Sequence, residues 1–570
     1  MSGTNLIAPE ESGVWRRADI FVLIDFDRDD DFSDAYEDVT DYLFQVDWHI
    51  GAHQPYQLMA DETELTMMLD NSDRRFSPEN PDGPYYGQLD SYLKVKVEIR
   101  YEGTVYPMYL GYIDSIKPEP GDRIDCTIRC VGAKQQLQDQ NIAVPLLTNV
   151  RSDQAIKVIL EKLVLPPAMN SDAWFLGVPG SCELGIGTYL GDSTVAMSLE
   201  TGLVSFPYVA DNWDVDFHGN QYVGEDWSSG FKGWDAIADI VKAERGRFLF
   251  DREGKAVFWN RAHTQTQYIS FGGFGTDAIY DYVPSPTIDL SGYSWGDDIA
   301  NEIEVTSYPR SIEGGPSIIY ELDEPVSVRA GQTRTITAKF TPDDTEDQIS
   351  AINPYIQALT YRGRLTFGIE WLADKAKVTI TNVAQTGQWA SGGNATTTGW
   401  QSSSSAVYPS SDDFDLDGEL TSLVLMGTKL TAFEEVTASV EDGVSRSLYG
   451  PRQYRIDAKL LNDPNDAHAI AEYELAKRKD SYGAWKTVKM KPINAKSIER
   501  VLFAVLGRKY QLTDETNGHQ RDYMLVGEKH SWNRRSGVET ELYFELLDKQ
   551  LGWMLGTVYG ELGVGTRLGY

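Results

Sequence analysis

The stretch LKVKVEIRY, Leu93–Tyr101, alternates without a break, and that pattern limits the fold more than any other in the chain. Leu93, Val95, Val97 and Ile99 fall on one face, and Lys94, Lys96, Glu98 and Arg100 on the other. A period of two belongs to a β-strand, and one polar face means that only one side of the sheet is covered. Glu102-Gly103 then supplies a hairpin turn, and Val105–Ile116 runs back. After the break PEPGDR, Ile124–Gly132 alternates again, and Ile20–Phe26 and Thr63–Leu69 read as strands upstream. Residues 1–145 are therefore expected to form an antiparallel β-barrel. Between two of these strands lies LDNSDRRFSPENPDGPYYGQL, Leu69–Leu89, far longer than a hairpin needs. Pro78, Pro81 and Pro84 are expected to hold it extended, Gly83 and Gly87 to allow close approach, and Phe76 and Tyr85 to pin it as an Ω-type loop.

With 570 residues the chain exceeds one core, so several domains follow. Residues 146–270 read as an α/β domain. Ser152 is the expected N-cap of a helix striped by Ala155, Ile156, Ile159, Leu160 and Leu163. Trp234, Ile237, Ile240 and Val241 line a second helix that stops at Gly246 and enters a hairpin with a Glu253-Gly254 turn. Residues 271–374 are β-rich, and 375–435 read as an inserted β accessory domain carrying a Ser/Thr/Gly-rich patch. Residues 436–550 are expected to build a second barrel that holds helix 463–480, capped by Asp463 with Pro464 at its first position. Residues 551–570 form a C-terminal tail segment. The fold class is mainly β with an α+β middle: two related antiparallel barrels flank an α/β region, and a β accessory domain is inserted.

Acidic residues number 86 against 51 basic ones, a formal charge of −35. Nonspecific binding to nucleic-acid backbones or anionic lipid needs the opposite sign, so no specific nucleic-acid recognition is expected; DNA could pass such a surface without adhering. No apolar run reaches membrane-spanning length, and the N-terminus lacks the apolar stretch of a signal peptide, which points to synthesis in a cytoplasm without export by that route. Cys126, Cys130 and Cys182 give no even framework, and the first two share a strand face as buried thiols.

Catalytic signatures are missing: there is no Gly-x-Ser-x-Gly elbow, P-loop or His-Glu-x-x-His helix. His49 and His53 stand four apart but in a strand pattern, where two ordinary polar positions outweigh a metal pair. Asp413, Asp415 and Asp417 with Gly418 reproduce the start of a calcium loop. Val424 stands where the bidentate glutamate would be, so the site is incomplete, and a solvated acidic turn is the competing reading. DFDRDDD, Asp25–Asp31, also alternates carboxylates but is interrupted by Arg28, and reads as a hydrated loop. No other cofactor is implied.

Several stretches, taken in order, resemble the tail-tip and baseplate-hub proteins of long-tailed bacteriophages, a minor tail protein family. Asp38–Thr40 and then Thr63–Leu89 resemble that family's N-terminal domain, where a strand ends in Leu-x-Asn before an Asp-x-Arg-aromatic-Ser-Pro-x-Asn loop. Trp234–Arg261 is similar to its helix-hairpin unit, Ser447–Arg478 to its Tyr-Gly-x-Arg strand and following helix, and Tyr523–Leu546 to its closing barrel hairpin. The last residues, GWMLGTVYGELGVGTRLGY, fit the tails of such proteins. Residues 169–230 and 386–413 do not map onto the shared core. The resemblance implies a structural virion protein at the tail tip, a homotrimeric hub whose two barrels per subunit match a six-fold tube. It would close the tube, link it to host attachment and serve genome ejection. Implied partners are a distal tail ring protein, a tape measure protein and other tail-tip proteins. Within Leu69–Leu89 it favours an assembly arm carrying Arg74, Phe76, Pro78, Pro81, Pro84, Tyr85 and Tyr86. Two alternatives remain open: a tail-associated enzyme degrading cell wall or polysaccharide, and a receptor-recognition protein contacting carbohydrate through Trp389 and Trp400.

Overall fold

The computed structural model describes residues 19–120, 124–142, 144, 146–163, 188–189, 196–209, 231–261, 263, 281–312, 314–341, 349–383, 394–397 and 417–547. Its largest sheet has twelve strands, drawn from residues 19–131 and 487–546 with two short strands, Asp281–Tyr282 and Ile288–Ser291, from between them. The path runs Asp19–Ile24, Lys94–Tyr101, Thr104–Pro118, Asp125–Val131, Glu64–Asp70, Leu43–Gly51, His519–Asn533, Gly537–Leu546, Thr487–Met490, Ile288–Ser291. The alternation read from sequence holds: Leu93, Val95, Val97 and Ile99 are all buried. Glu102 and Gly103 both take positive φ, 51° and 82°, the backbone of a type I′ turn.

Two separate barrels were expected; the described strands within 19–131 and 487–546 instead share one continuous sheet, strands Val436–Glu441 and Gln453–Asp457 lie in another, and none of the described sheets closes on itself. The join is the antiparallel pairing of Leu43–Gly51 with His519–Asn533, in register from Gln45↔Asn533 to Gly51↔Gly527. The main core accordingly mixes Trp48, Leu65 and Val97 with Tyr510, Trp532 and Phe544. Glycine is required where the pairing ends. A Cβ on Gly51, whose φ is 85°, would lie 2.5 Å from the Val526 carbonyl oxygen, and one on Gly527 would lie 2.1 Å from that of Ala52.

The middle of the chain forms a second core. Helix Ser152–Glu161 packs on helix Gly233–Glu244, and the hairpin Arg247–Phe250/Ala256–Trp259 closes over them. Ser152 is the first helical residue and not the cap, because its hydroxyl is drawn inward to Glu244 at 2.5 Å; Gln154 instead accepts the Arg151 N–H at 3.0 Å. The second helix ends in a left-handed residue that is Arg245, with φ 59°, and not Gly246. Gly246 answers a different need: a Cβ there would meet the Trp259 carbonyl oxygen at 2.4 Å. Helix Pro464–Arg478 is capped as expected, Asp463 accepting from the Asn465 N–H. Its Ala467, Ile470 and Ala471 bury into this middle core beside strands Glu302–Ser307 and Val436–Glu441, not into the large sheet.

A third core lies between strands Thr333–Lys339, Leu365–Trp371 and Lys375–Asn382 and the sheet built on Gly418–Ala432. Val378 and Ile380 share it with Ile319, Phe340 and Leu365, so strands on both sides of residue 375 belong to one unit.

Candidate functional site

Residues 71–89 are coiled rather than extended. The N–H groups of Arg74, Ser77, Asn80, Gly83 and Tyr86 donate in turn to the carbonyls of Asn71, Arg74, Ser77, Asn80 and Gly83, at 2.9–3.3 Å. Each is an i→i+3 turn, and Pro78, Pro81 and Pro84 each occupy the second position of one. Proline favours that place because its ring presets φ near −65°. The missing proline N–H does keep the segment out of the sheet, but its fixed φ bends the chain here.

Asn71 anchors this staircase from a fully buried position. Its Oδ1 accepts from the Phe76 N–H at 2.8 Å and its Nδ2 donates to Ser77 Oγ at 3.1 Å. Phe76 is buried edge-on to Tyr42, and Tyr85 stacks on Phe26 with ring centroids 4.2 Å apart. The Arg75 guanidinium lies 3.8 Å over Tyr42 and pairs with Asp73, while Arg74 donates to the Glu119 carbonyl at 3.2 Å. Pro81, Pro84 and Tyr86 face outward, Tyr86 with 55% of its surface exposed. The segment is thus a rigid feature pinned by aromatics on its inner face and presenting proline and tyrosine on its outer one.

Directly beneath it runs the acidic loop that follows the first strand. Asp25, Asp27, Asp29 and Glu37 each bring an oxygen within 4.8 Å of the others. Asp25 and Glu37 are buried. Burial, then the charges of Asp25, Asp27 and Asp34, push the Glu37 carboxyl up to about 7.

A set of buried ion pairs, which local sequence patterns did not single out, fastens the helix-hairpin unit to the C-terminal half. Arg245 Nε meets Glu474 at 2.8 Å, and Arg478 meets the other oxygen at 2.9 Å. Arg247 and Lys477 both bind Glu545, which also accepts the Tyr56 N–H. Arg252 grips Glu528 with two nitrogens at 2.6 and 2.5 Å and donates to the carbonyls of Val501 and Leu502. The hint in the sequence is RFLFDREG, an apolar hairpin that carries arginines at Arg247 and Arg252. Burial pushes these glutamates up, but the adjoining cations outweigh it, and Glu474, Glu528 and Glu545 are each held at about 2. A cleft opens here, lined among others by Tyr56, Arg247, Lys477, Met524 and Glu545. The network joins the helix-hairpin unit to helix Pro464–Arg478 and to strands His519–Asn533 and Gly537–Leu546.

His49 and His53 stack with centroids 3.5 Å apart and planes 9° from parallel, and His53 Nδ1 meets Asp61 at 2.8 Å. Imidazole lone pairs lie in the ring planes, so two parallel rings do not converge on one ion. Cys126 and Cys130 are free, buried thiols, and Cys182 lies outside the described residues. Asp417 is exposed at the start of its strand; Asp413, Asp415, Trp389 and Trp400 also lie outside the described residues. Among the described residues, no helix is long and apolar enough to cross a membrane.

Several solved structures resemble this one. The chain is similar to phage tail proteins. A 43 kDa prophage tail protein from Shewanella oneidensis aligns over 92% of this chain and 98% of its own, at 9% identity and a TM-score of 0.39. A tail protein from Neisseria meningitidis aligns over 93% and 96%, at 9% identity and a TM-score of 0.40. A prophage tail protein from Listeria monocytogenes aligns over 92% and 94%, at 8% identity and a TM-score of 0.32. No family model matches the chain, and no curated protein matches it in sequence.

Proposed function

We propose that this chain is a structural component of a phage tail tip: a trimeric hub that closes the tail tube and links it to host-contacting proteins. The observation that carries the reading is the pairing of Leu43–Gly51 with His519–Asn533. It sets the N-terminal and C-terminal sheets of one chain side by side, as two joined modules of a single wall. Three such chains would supply six modules, the number a six-fold tube requires, and closure into a ring would come from neighbouring subunits rather than within each chain. The order of the family-like motifs supports the same reading, and the −35 charge suits a conduit along which DNA must slide without sticking. The 71–89 staircase, stiff before any partner arrives, would then act as an assembly arm whose ordering costs little on docking. Electron cryo-microscopy of the virion tests this. Three copies at the tip of the tube are expected; six copies, or a location away from the tip, would overturn it.

A further inference from the structure

We propose that the loop between Asp25 and Glu37 binds one calcium ion, held by the carboxylates of Asp25, Asp27, Asp29 and Glu37. Four acidic side chains alone would not make a site. The decisive feature is that Glu37 is 1% exposed, and only one of its oxygens is used, accepting from the Asp34 N–H at 3.2 Å. Its other oxygen is buried with no hydrogen-bond partner, and so is Asp27 Oδ1. Glu37 and Asp27 both belong to the group of four residues that each bring one carboxylate oxygen within 4.8 Å of the others. A buried carboxylate oxygen left without a donor is costly unless a cation meets it.

The cations at this loop are directed elsewhere. Lys94 binds Asp30 at 2.5 Å, and Arg28 donates to the Ser91 carbonyl at 3.1 Å. Asp25 is held in place by the N–H groups of Asp29 and Asp30, at 3.1 and 3.2 Å, which leaves its remaining lone pairs free to coordinate. An all-oxygen donor set favours a hard ion over zinc, which prefers nitrogen and sulfur. Carboxylates from one irregular loop suit calcium, which accepts six to eight ligands in flexible geometry, better than magnesium, which demands a near-octahedral shell and keeps its waters.

Binding there would act on the neighbouring staircase. Phe26, between two of the ligands, stacks on Tyr85; Tyr85 donates to the Tyr36 carbonyl at 3.2 Å, and Tyr36 Oη donates to Asp27 at 2.9 Å. The site does not depend on the tail-hub reading.

Calorimetric titration of the chelator-stripped full chain with calcium chloride up to about 5 mM tests it. One site is expected, with a Kd at or below about 1 mM and a raised unfolding temperature. Glu37→Gln and the more exposed Asp29→Asn should each weaken binding about tenfold, Asp415→Asn should leave it unchanged, and magnesium should bind about tenfold more weakly. Should Glu37→Gln fail to fold by circular dichroism, Asp29→Asn decides alone. No heat and no thermal shift would overturn the proposal. So would binding indifferent to Glu37→Gln and Asp29→Asn, or magnesium binding as tightly as calcium.

Discussion

Replacing Arg252 with alanine should destabilise the large sheet more than most single substitutions in the chain. Glu528 is fully buried, and Arg252 satisfies both of its oxygens while also donating to the last carbonyls of helix Ala495–Leu502. Removing it leaves a buried carboxylate facing only His530, at 3.4 Å, and strips the helix end of its cation. The shift of Glu528 from 4.5 to about 2 corresponds to about 3 kcal/mol at 1.36 kcal/mol per unit, and breaking a buried pair typically costs about 3–5 kcal/mol. The sign follows from the depressed pKa: the contribution is fully present above the unfolded value near 4.5 and is lost as pH falls through about 2. Urea unfolding at pH 7, followed by tryptophan fluorescence, is a suitable assay, because Trp48 stacks on His530 and Trp532 pairs with Val46 across the join. Pairing Arg252→Ala with Glu528→Leu should cost less than the sum of the single changes, since no charge is then stranded. A loss below about 1 kcal/mol for Arg252→Ala, or strict additivity in the double variant, would mean that solvent already reaches Glu528 and that the pair holds nothing together.

Three further outcomes are expected. Changing Pro78, Pro81 and Pro84 together to glycine should lower stability by about 0.4–1 kcal/mol per site while reducing incorporation into tails more steeply; equal loss of both would refute the assembly role. Asn71→Ala, which leaves the buried Phe76 N–H unsatisfied, should cost about 1–3 kcal/mol in urea unfolding and expose the 74–75 arginines to trypsin. Burial, then the charge of His53, lowers His49 to about 4, so its contribution is complete above the unfolded value of 6.5 and fades as pH falls toward 4. His49→Gln should flatten the stability profile across that window by up to about 3 kcal/mol.

What could be read from the sequence was what local spacing determines. Leu93–Ile99 announced their strand because alternation is a property of neighbours, and Asp463-Pro464 announced a helix start for the same reason. The three-residue spacing of Pro78, Pro81 and Pro84 was equally local, yet proline's missing N–H suggested an extended chain, and its fixed φ proved decisive. The ion-pair fastening was not legible, because Arg252 and Glu528 lie 276 positions apart and neither is unusual in its own segment. The boundary at residue 375 rests on the Ser/Thr/Gly-rich patch that follows it, whereas the shared burial of Val378, Phe340 and Ile319 is a tertiary fact. Glu37 lies outside the DFDRDDD run and joins Asp25, Asp27 and Asp29 only when the chain folds back.

The join between Leu43–Gly51 and His519–Asn533 also sets an order of events during synthesis. Leu43–Gly51 leaves the ribosome long before His519–Asn533, the strand that covers its edge. At about 5–20 residues per second, that edge waits on the order of a minute. Throughout that interval it presents unpaired backbone groups beside a glycine, an open template for another nascent chain on the same message. Translation that stalls between the two strands would therefore yield sticky fragments rather than a stable N-terminal module. A second copy of the chain could also lend its own His519–Asn533 strand, exchanging strands between copies before either is complete.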